Sequence, residues 1–293
     1  MNLCCNRFVF VAGLHRTGTS LLARMIGAHQ QVSSIQGSPA PENEGCYLQG
    51  AIPHTALDGR PGHFATNPQE HHTESSPYNT QETKTRLLAD WSPWFSQDKP
   101  WWIEKSPVNL TRMRLYQQLF PTAQFIVILR HPQIMAAALA KWVDTDPQEL
   151  VRHALDAYDQ MTADLPYLHS VLVLRYEDLA ADVAALHRSA LAFLSLPYEV
   201  ADFAVIDGNR RYRVPEALDP DLSLRLERWG YRPGGGCDAF PILCQHPLRD
   251  VREAVETAGN SSTSTKPARS DKKNRKLTSV NRRVSTALLN RTP

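Results

Sequence analysis

From Phe8 to Leu22 the chain reads FVFVAGLHRTGTSLL, an apolar strand-like run that breaks at Gly13 and resumes with helical character. Strand, Gly-bearing turn and helix in that order belong to a parallel α/β sheet. The turn Arg16, Thr17, Gly18, Thr19, Ser20 then sits at a helix N-terminus, where unsatisfied N–H groups and the macrodipole favour an anion. The pattern departs from the triphosphate loop G-x-x-x-x-G-K-[ST]: position 19 would be Lys there, and this chain has Thr19 with Arg16 as the nearest cation. Taken alone, the stretch also fits an ordinary strand, turn and Thr/Ser-capped helix.

Two later segments narrow the choice. Trp101 to Pro107 reads WWIEKSP, a buried-looking run that ends in Glu104, Lys105 and Ser106, with Pro107 suited to a first helical position. Gln124 to Pro132 reads QFIVILRHP and delivers Arg130 at a strand end before another helix. Three strand ends therefore carry anion-binding groups. A magnesium-dependent phosphotransferase would place an Asp at the end of a second apolar strand, where this chain has Arg130, so no metal is expected.

Strand signals at Phe8–Ala12, Trp101–Glu104, Phe125–Leu129 and Val171–Arg175 alternate with helical stretches at Thr19–Ala28, Pro107–Phe120, Pro132–Trp142 and Asp178–Leu194. This predicts an α/β fold, a mostly parallel sheet flanked by helices, whose ligands bind beyond the carboxyl ends of the strands. Residues 1–233 are read as the domain. Within it, 35–100 is an irregular insertion, helical only at Gln81–Phe95, expected to shape a pocket. Further amphipathic helices are expected at Gln148–Leu165 and Asp219–Trp229. Residues 234–259, opening on Gly234 to Gly236, read as a linker and short segment.

Residues 260–293 read as a disordered basic tail. That tail holds nine Lys or Arg against one Asp, so with a formal net charge of +2 overall the remainder carries −6. A solvated tail is preferred over a nucleic-acid or membrane contact, and no specific nucleic acid is expected. Cys4, Cys5, Cys46, Cys237 and Cys244 form no C-x-x-C pair and are read as reduced thiols. No apolar run is long enough to span a bilayer, and a soluble, cytoplasmic protein is expected. No feature specifies an oligomeric state.

The three motifs in order resemble the sulfotransferase family that uses 3'-phosphoadenosine 5'-phosphosulfate (PAPS). HRTGTSLL is similar to its 5'-phosphosulfate loop, Lys105-Ser106-Pro107 to its strand-end Lys, and LRHP to its 3'-phosphate strand and helix. LLARMIGAHQQVSS resembles the helix and turn that follow the loop in bacterial and tyrosylprotein-type members, and RYEDL and LERWGY are weaker markers.

The resemblance implies a P-loop-like fold and PAPS as co-substrate. It implies Lys105 as the group that stabilises the leaving phosphate oxygen, with Arg16, Thr17, Gly18, Thr19 and Ser20 at the 5' end. Arg16 is also a candidate to reach the sulfuryl oxygens or the acceptor. Arg130 falls to the 3'-phosphate, but a Ser commonly follows that Arg by eight residues, and here the position is Ala138. Arg210, Arg211 and Tyr212 are candidates to close over the nucleotide. The general base is sought in PENEG, where tyrosylprotein-type relatives carry a catalytic acid: Glu42 or Glu44, with His54 a weaker choice. His71, His72 and Glu74 form a polar cluster of solvent-exposed type. The acceptor, a hydroxyl or amine of a glycan, peptide, lipid or small alcohol, is not specified. A small-molecule kinase and a noncatalytic nucleotide-binding or scaffolding protein on the same fold are the rival readings.

Overall fold

The computed structural model describes residues 6–54, 63–200, 203 and 205–260. Cys4, Cys5 and the basic stretch after Asn260 lie outside the described residues. Five parallel strands form the sheet: β1 (Arg7–Ala12), β2 (Val32–Ser34), β3 (Trp101–Lys105), β4 (Gln124–Leu129) and β5 (Val171–Arg175). A short hairpin, β6 (Tyr231–Arg232) with β7 (Gly236–Cys237), stands apart, and β8 (Leu243–Gln245) joins the sheet antiparallel to β5. The spatial order is β2-β3-β1-β4-β5-β8.

Strand alternation divides the interior in two, because successive side chains point to opposite faces. Phe8, Phe10 and Ala12 of β1 join one core with Trp102, Phe125, Val127 and Val173, while Val9 and Val11 join a second with Ile103, Ile126, Ile128 and Leu172. The first core is covered by α2 (Gln81–Trp91), α3 (Met113–Leu119), α4 (Pro132–Leu139), α5 (Pro147–Asp164) and α8 (Pro220–Glu227). The second is covered by α1 (Thr19–Gly27), α6 (Tyr176–Ala181), α7 (Val183–Phe193) and α9 (Arg249–Asn260). The result is the three-layer α/β sandwich that the alternating pattern implies.

The differences from the expected elements have local causes. The helix expected over Asp178–Leu194 is two, because Asp182 leaves the helical region and its side chain accepts from Ala185 N to start α7 afresh. The helix expected from Pro107 begins as a 3-10 turn, Pro107–Thr111, and breaks at Arg112, whose buried guanidinium is drawn to Pro53 O and Glu70. Pro132–Trp142 ends early, at Leu139. The stretch 234–259 holds β8 on the β5 edge and nearly all of α9, whose Val251 and Val255 sit in the second core.

Candidate active site

The parallel register brings the informative strand ends to one edge. Val11 pairs with Lys105, Ala12 with Val127, and Leu129 with Arg175, so the loop after β1, Lys105 and Arg130 all emerge on the carboxyl side. In the loop, Thr17 closes the turn on itself, with its N–H and its hydroxyl both donating to Leu14 O, at 3.2 and 2.8 Å. Gly18 adopts φ 104°, and a Cβ there would stand 2.8 Å from the Tyr176 ring, so this position needs glycine for conformation and for space. Arg16 also lies in the left-handed region, at φ 69°, a conformation that costs free energy in a non-glycine residue. No side chain caps α1, which leaves the first-turn N–H groups directed out of the loop.

Lys105 is buried, and its Nζ lies 2.9 Å from Glu44 Oε1, also buried. Burial pushes the Glu44 carboxyl above the usual carboxylate range, outweighing the pull of Lys105. What holds Glu44 there is its neighbour. The Glu104 carboxylate, fully enclosed, accepts from Gly45 N at 2.9 Å, Ser106 Oγ at 2.5 Å and Asn109 Nδ2 at 2.6 Å. A Cβ at Gly45 would meet Glu104 Cγ and Oε1 at 2.7 Å, so the strand end and the PENEG loop touch closely only because residue 45 is glycine. Burial also raises the Glu104 carboxyl, while its three donors lower it. Glu42 is elsewhere: it is exposed and accepts from Ser20 Oγ at 3.3 Å.

His15 escaped the sequence reading. Its ring packs edge-on against Phe64 with centroids 5.5 Å apart, and its Nδ1 is buried without a partner. Burial, and then the charge of Lys105, hold its pKa down to about 4, so the imidazole is neutral at pH 7. Its place in the loop, between Gly13 and Arg16, was the available signal.

Arg130 is 6% exposed, with Nε donating to Asn209 Oδ1 at 2.8 Å and Nη1 to Arg16 O at 2.6 Å. Its guanidinium lies 4.4 Å from the Tyr176 ring centroid. Among the described residues no carboxylate is ion-paired with it, and burial holds its pKa below the ordinary guanidinium value. Asn209 links it to an acid, its Nδ2 donating to Glu177 Oε1 at 2.9 Å. Of the three candidates in NRRYR, Arg210 pairs with Asp207 at the surface, Arg211 is exposed, and Tyr212 lies beside Arg130. The Arg16 guanidinium lies over the Trp142 ring, 5.0 Å from its centroid.

The remaining histidine candidates are not gathered here. His54 Nε2 is 2.9 Å from Cys46 O, and His71 pairs with Asp164 at 2.8 Å. Glu74 pairs with Arg114, and His72 is buried, where the sequence suggested exposure. His54, His71 and His72 line a cavity of about 680 Å³ whose walls include neither Lys105 nor Arg130. Among the described residues no group of three or more His, Cys, Asp or Glu is arranged to hold a metal ion, and no helix is long and apolar enough to cross a membrane.

The donor set suits an anionic ligand. Uncapped N–H groups of α1 and Lys105 lie on the same sheet edge as a buried guanidinium that, among the described residues, pairs with no carboxylate. Among solved structures the chain is similar to a sulfotransferase from Alicyclobacillus acidocaldarius, at 19% identity and TM-score 0.43 over 74% of this chain and 88% of that one. It is also similar to the sulfotransferase domain of the Synechococcus PCC 7002 olefin synthase, at 17% identity and TM-score 0.42 over 86% and 94%. A third is retinol dehydratase, solved with androsterone and the inactive cofactor PAP, at 14% identity and TM-score 0.33 over 66% and 60%. No match was found among curated proteins. Residues 9–200 match the model of the sulfotransferase family, well over half of the chain, and the chain belongs to that family.

Proposed function

We propose that this sulfotransferase takes its sulfuryl group from PAPS and passes it, in line and without a metal, to a hydroxyl or amine of its acceptor. The observation that carries the reading is Arg130, a buried cation that among the described residues has no carboxylate partner, on the same sheet edge as the anion-binding loop. The first-turn N–H groups of α1 and the hydroxyls of Thr19 and Ser20 would hold the 5' end, and Arg130 the 3'-phosphate. The Thr17 hydroxyl is already engaged within the loop, the Ser20 hydroxyl would have to leave Glu42, and Arg16 lies over Trp142.

Transfer breaks the bond from sulfur to a 5'-phosphate oxygen and forms one from sulfur to the acceptor atom. Lys105 Nζ would donate to the departing oxygen as charge gathers there, and Glu44 would take the acceptor's proton. The 2.9 Å pair between them has to open first. An anion at the loop competes for Lys105 and so releases Glu44 as a base, while neutral His15 adds no charge beside them. Glu42 bonds to Ser20 and is the less favoured base.

Calorimetry in the presence of a chelator tests the reading. Adenosine 3',5'-bisphosphate is expected to bind at least about tenfold more tightly than AMP or ATP, one charge-assisted contact's worth. Equal affinities would overturn the PAPS assignment.

A further inference from the structure

Ala138 is 1% exposed and packs in the interior, so the side chain eight residues after Arg130 supplies nothing to an anion. Three residues on, just past the end of α4, the exposed Lys141 turns back to the site: its Nζ lies 5.7 Å from the centroid of the Tyr212 ring. Arg130 Cζ lies 5.8 Å from the same ring, and Arg16 stands beside it over Trp142. Burial raises the Tyr212 phenol, but Arg16, then Lys141 and Arg130, bring it below its ordinary pKa. Among the described residues none of these three cations is ion-paired with a carboxylate. Like charges gathered round one phenol repel, and an anion bound among them removes the repulsion.

We propose that Lys141 and the Tyr212 hydroxyl, flanked by Arg16, complete the 3'-phosphate clamp that Arg130 begins, in place of a side chain at position 138. The inference rests on the PAPS reading above. It gives the missing ligand a source outside the helix: a long flexible cation and a phenol reach from two separate loops to where a buried helical residue does not. Lys141 is exposed and, among the described residues, is ion-paired with no carboxylate, whereas Arg130 is fixed by Asn209 and the Arg16 carbonyl.

The test measures adenosine 3',5'-bisphosphate and AMP binding by calorimetry in the wild type, Lys141→Ala, Lys141→Arg and Tyr212→Phe. Lys141→Ala should weaken the bisphosphate about tenfold and Tyr212→Phe about fivefold, with AMP changed less than about twofold and Lys141→Arg close to wild type. Lys141 is exposed and Tyr212 half-buried, and thermal melting checks that each variant folds. Wild-type discrimination that survives in Lys141→Ala and Tyr212→Phe sinks the clamp alone, as does equal weakening of AMP. A loss confined to acceptor kcat/KM also overturns it, and would place an acceptor anion at this cluster. If the wild type does not prefer the bisphosphate, the PAPS reading falls and the clamp with it.

Discussion

The Glu104 carboxylate holds the Gly45 N–H at 2.9 Å, and with Ser106 Oγ accepting from Cys46 N at 3.1 Å it sets where the PENEG loop stands against the end of β3. Glu104 and Lys105 are consecutive, as are Glu44 and Gly45, so the buried anchor between one pair brings the other pair to 2.9 Å. Glu104 is fully enclosed, so its part is to position Lys105 and Glu44, the two residues proposed to act on the substrate.

Lys105→Ala should lower kcat by about a hundredfold to a thousandfold, the scale of one lost charge-stabilising donor, with a smaller effect on bisphosphate affinity. Steady-state kinetics with an active acceptor checks this. Near-normal turnover would remove Lys105 from the leaving-group role.

The pH profile should report Glu44. A base works deprotonated, and burial raises this carboxyl, so activity should rise with pH through a limb lying above the ordinary carboxylate range. Glu44→Gln should lose about a hundredfold to ten-thousandfold in kcat and flatten that limb. A limb that persists in Glu44→Gln would assign the base elsewhere.

Gly45→Ala introduces a methyl 2.7 Å from Glu104 atoms that are themselves fully enclosed. The variant should be destabilised by about 1–3 kcal/mol and lose turnover, because Glu44 shifts with the loop. Bisphosphate binding through Arg130 should survive. Thermal melting paired with kinetics distinguishes this from a general collapse.

A chain ended at Pro233 would lose β8 and α9. Burial of Val251 and Val255 alone accounts for about 3–6 kcal/mol, and the β5 edge would be left open. Denaturant titration should show a lower midpoint, or the protein should aggregate; an unchanged midpoint would mean the C-terminal elements add nothing.

The sheet and its three cationic strand ends were legible because each is written locally: an apolar run, a turn and a charged residue within a few positions. Glu44 was not separable from Glu42, since both sit in one short loop and only the distant Glu104 distinguishes them. His15 carries no sequence signature of burial, which comes from Phe64 far along the chain. β2 and β8 span three residues each and acquire strand character from their neighbours, Val32 with Trp101 and Leu172 with Cys244. The three consecutive glycines, read as a linker, lie between strands of a hairpin and at the start of its second strand.

Tyr176 has a contact on every side: Gly18 lies against the ring edge, Arg130 over its face, and the hydroxyl donates to Ile206 O and accepts from Gly208 N. One rigid phenol thus serves as a shared wall between the loop after β1 and the segment carrying Asn209 and Tyr212. Substitutions at Gly18 and at Arg130 are felt through the same ring, so their effects will not sum, and the two halves of the site form one thermodynamically coupled unit.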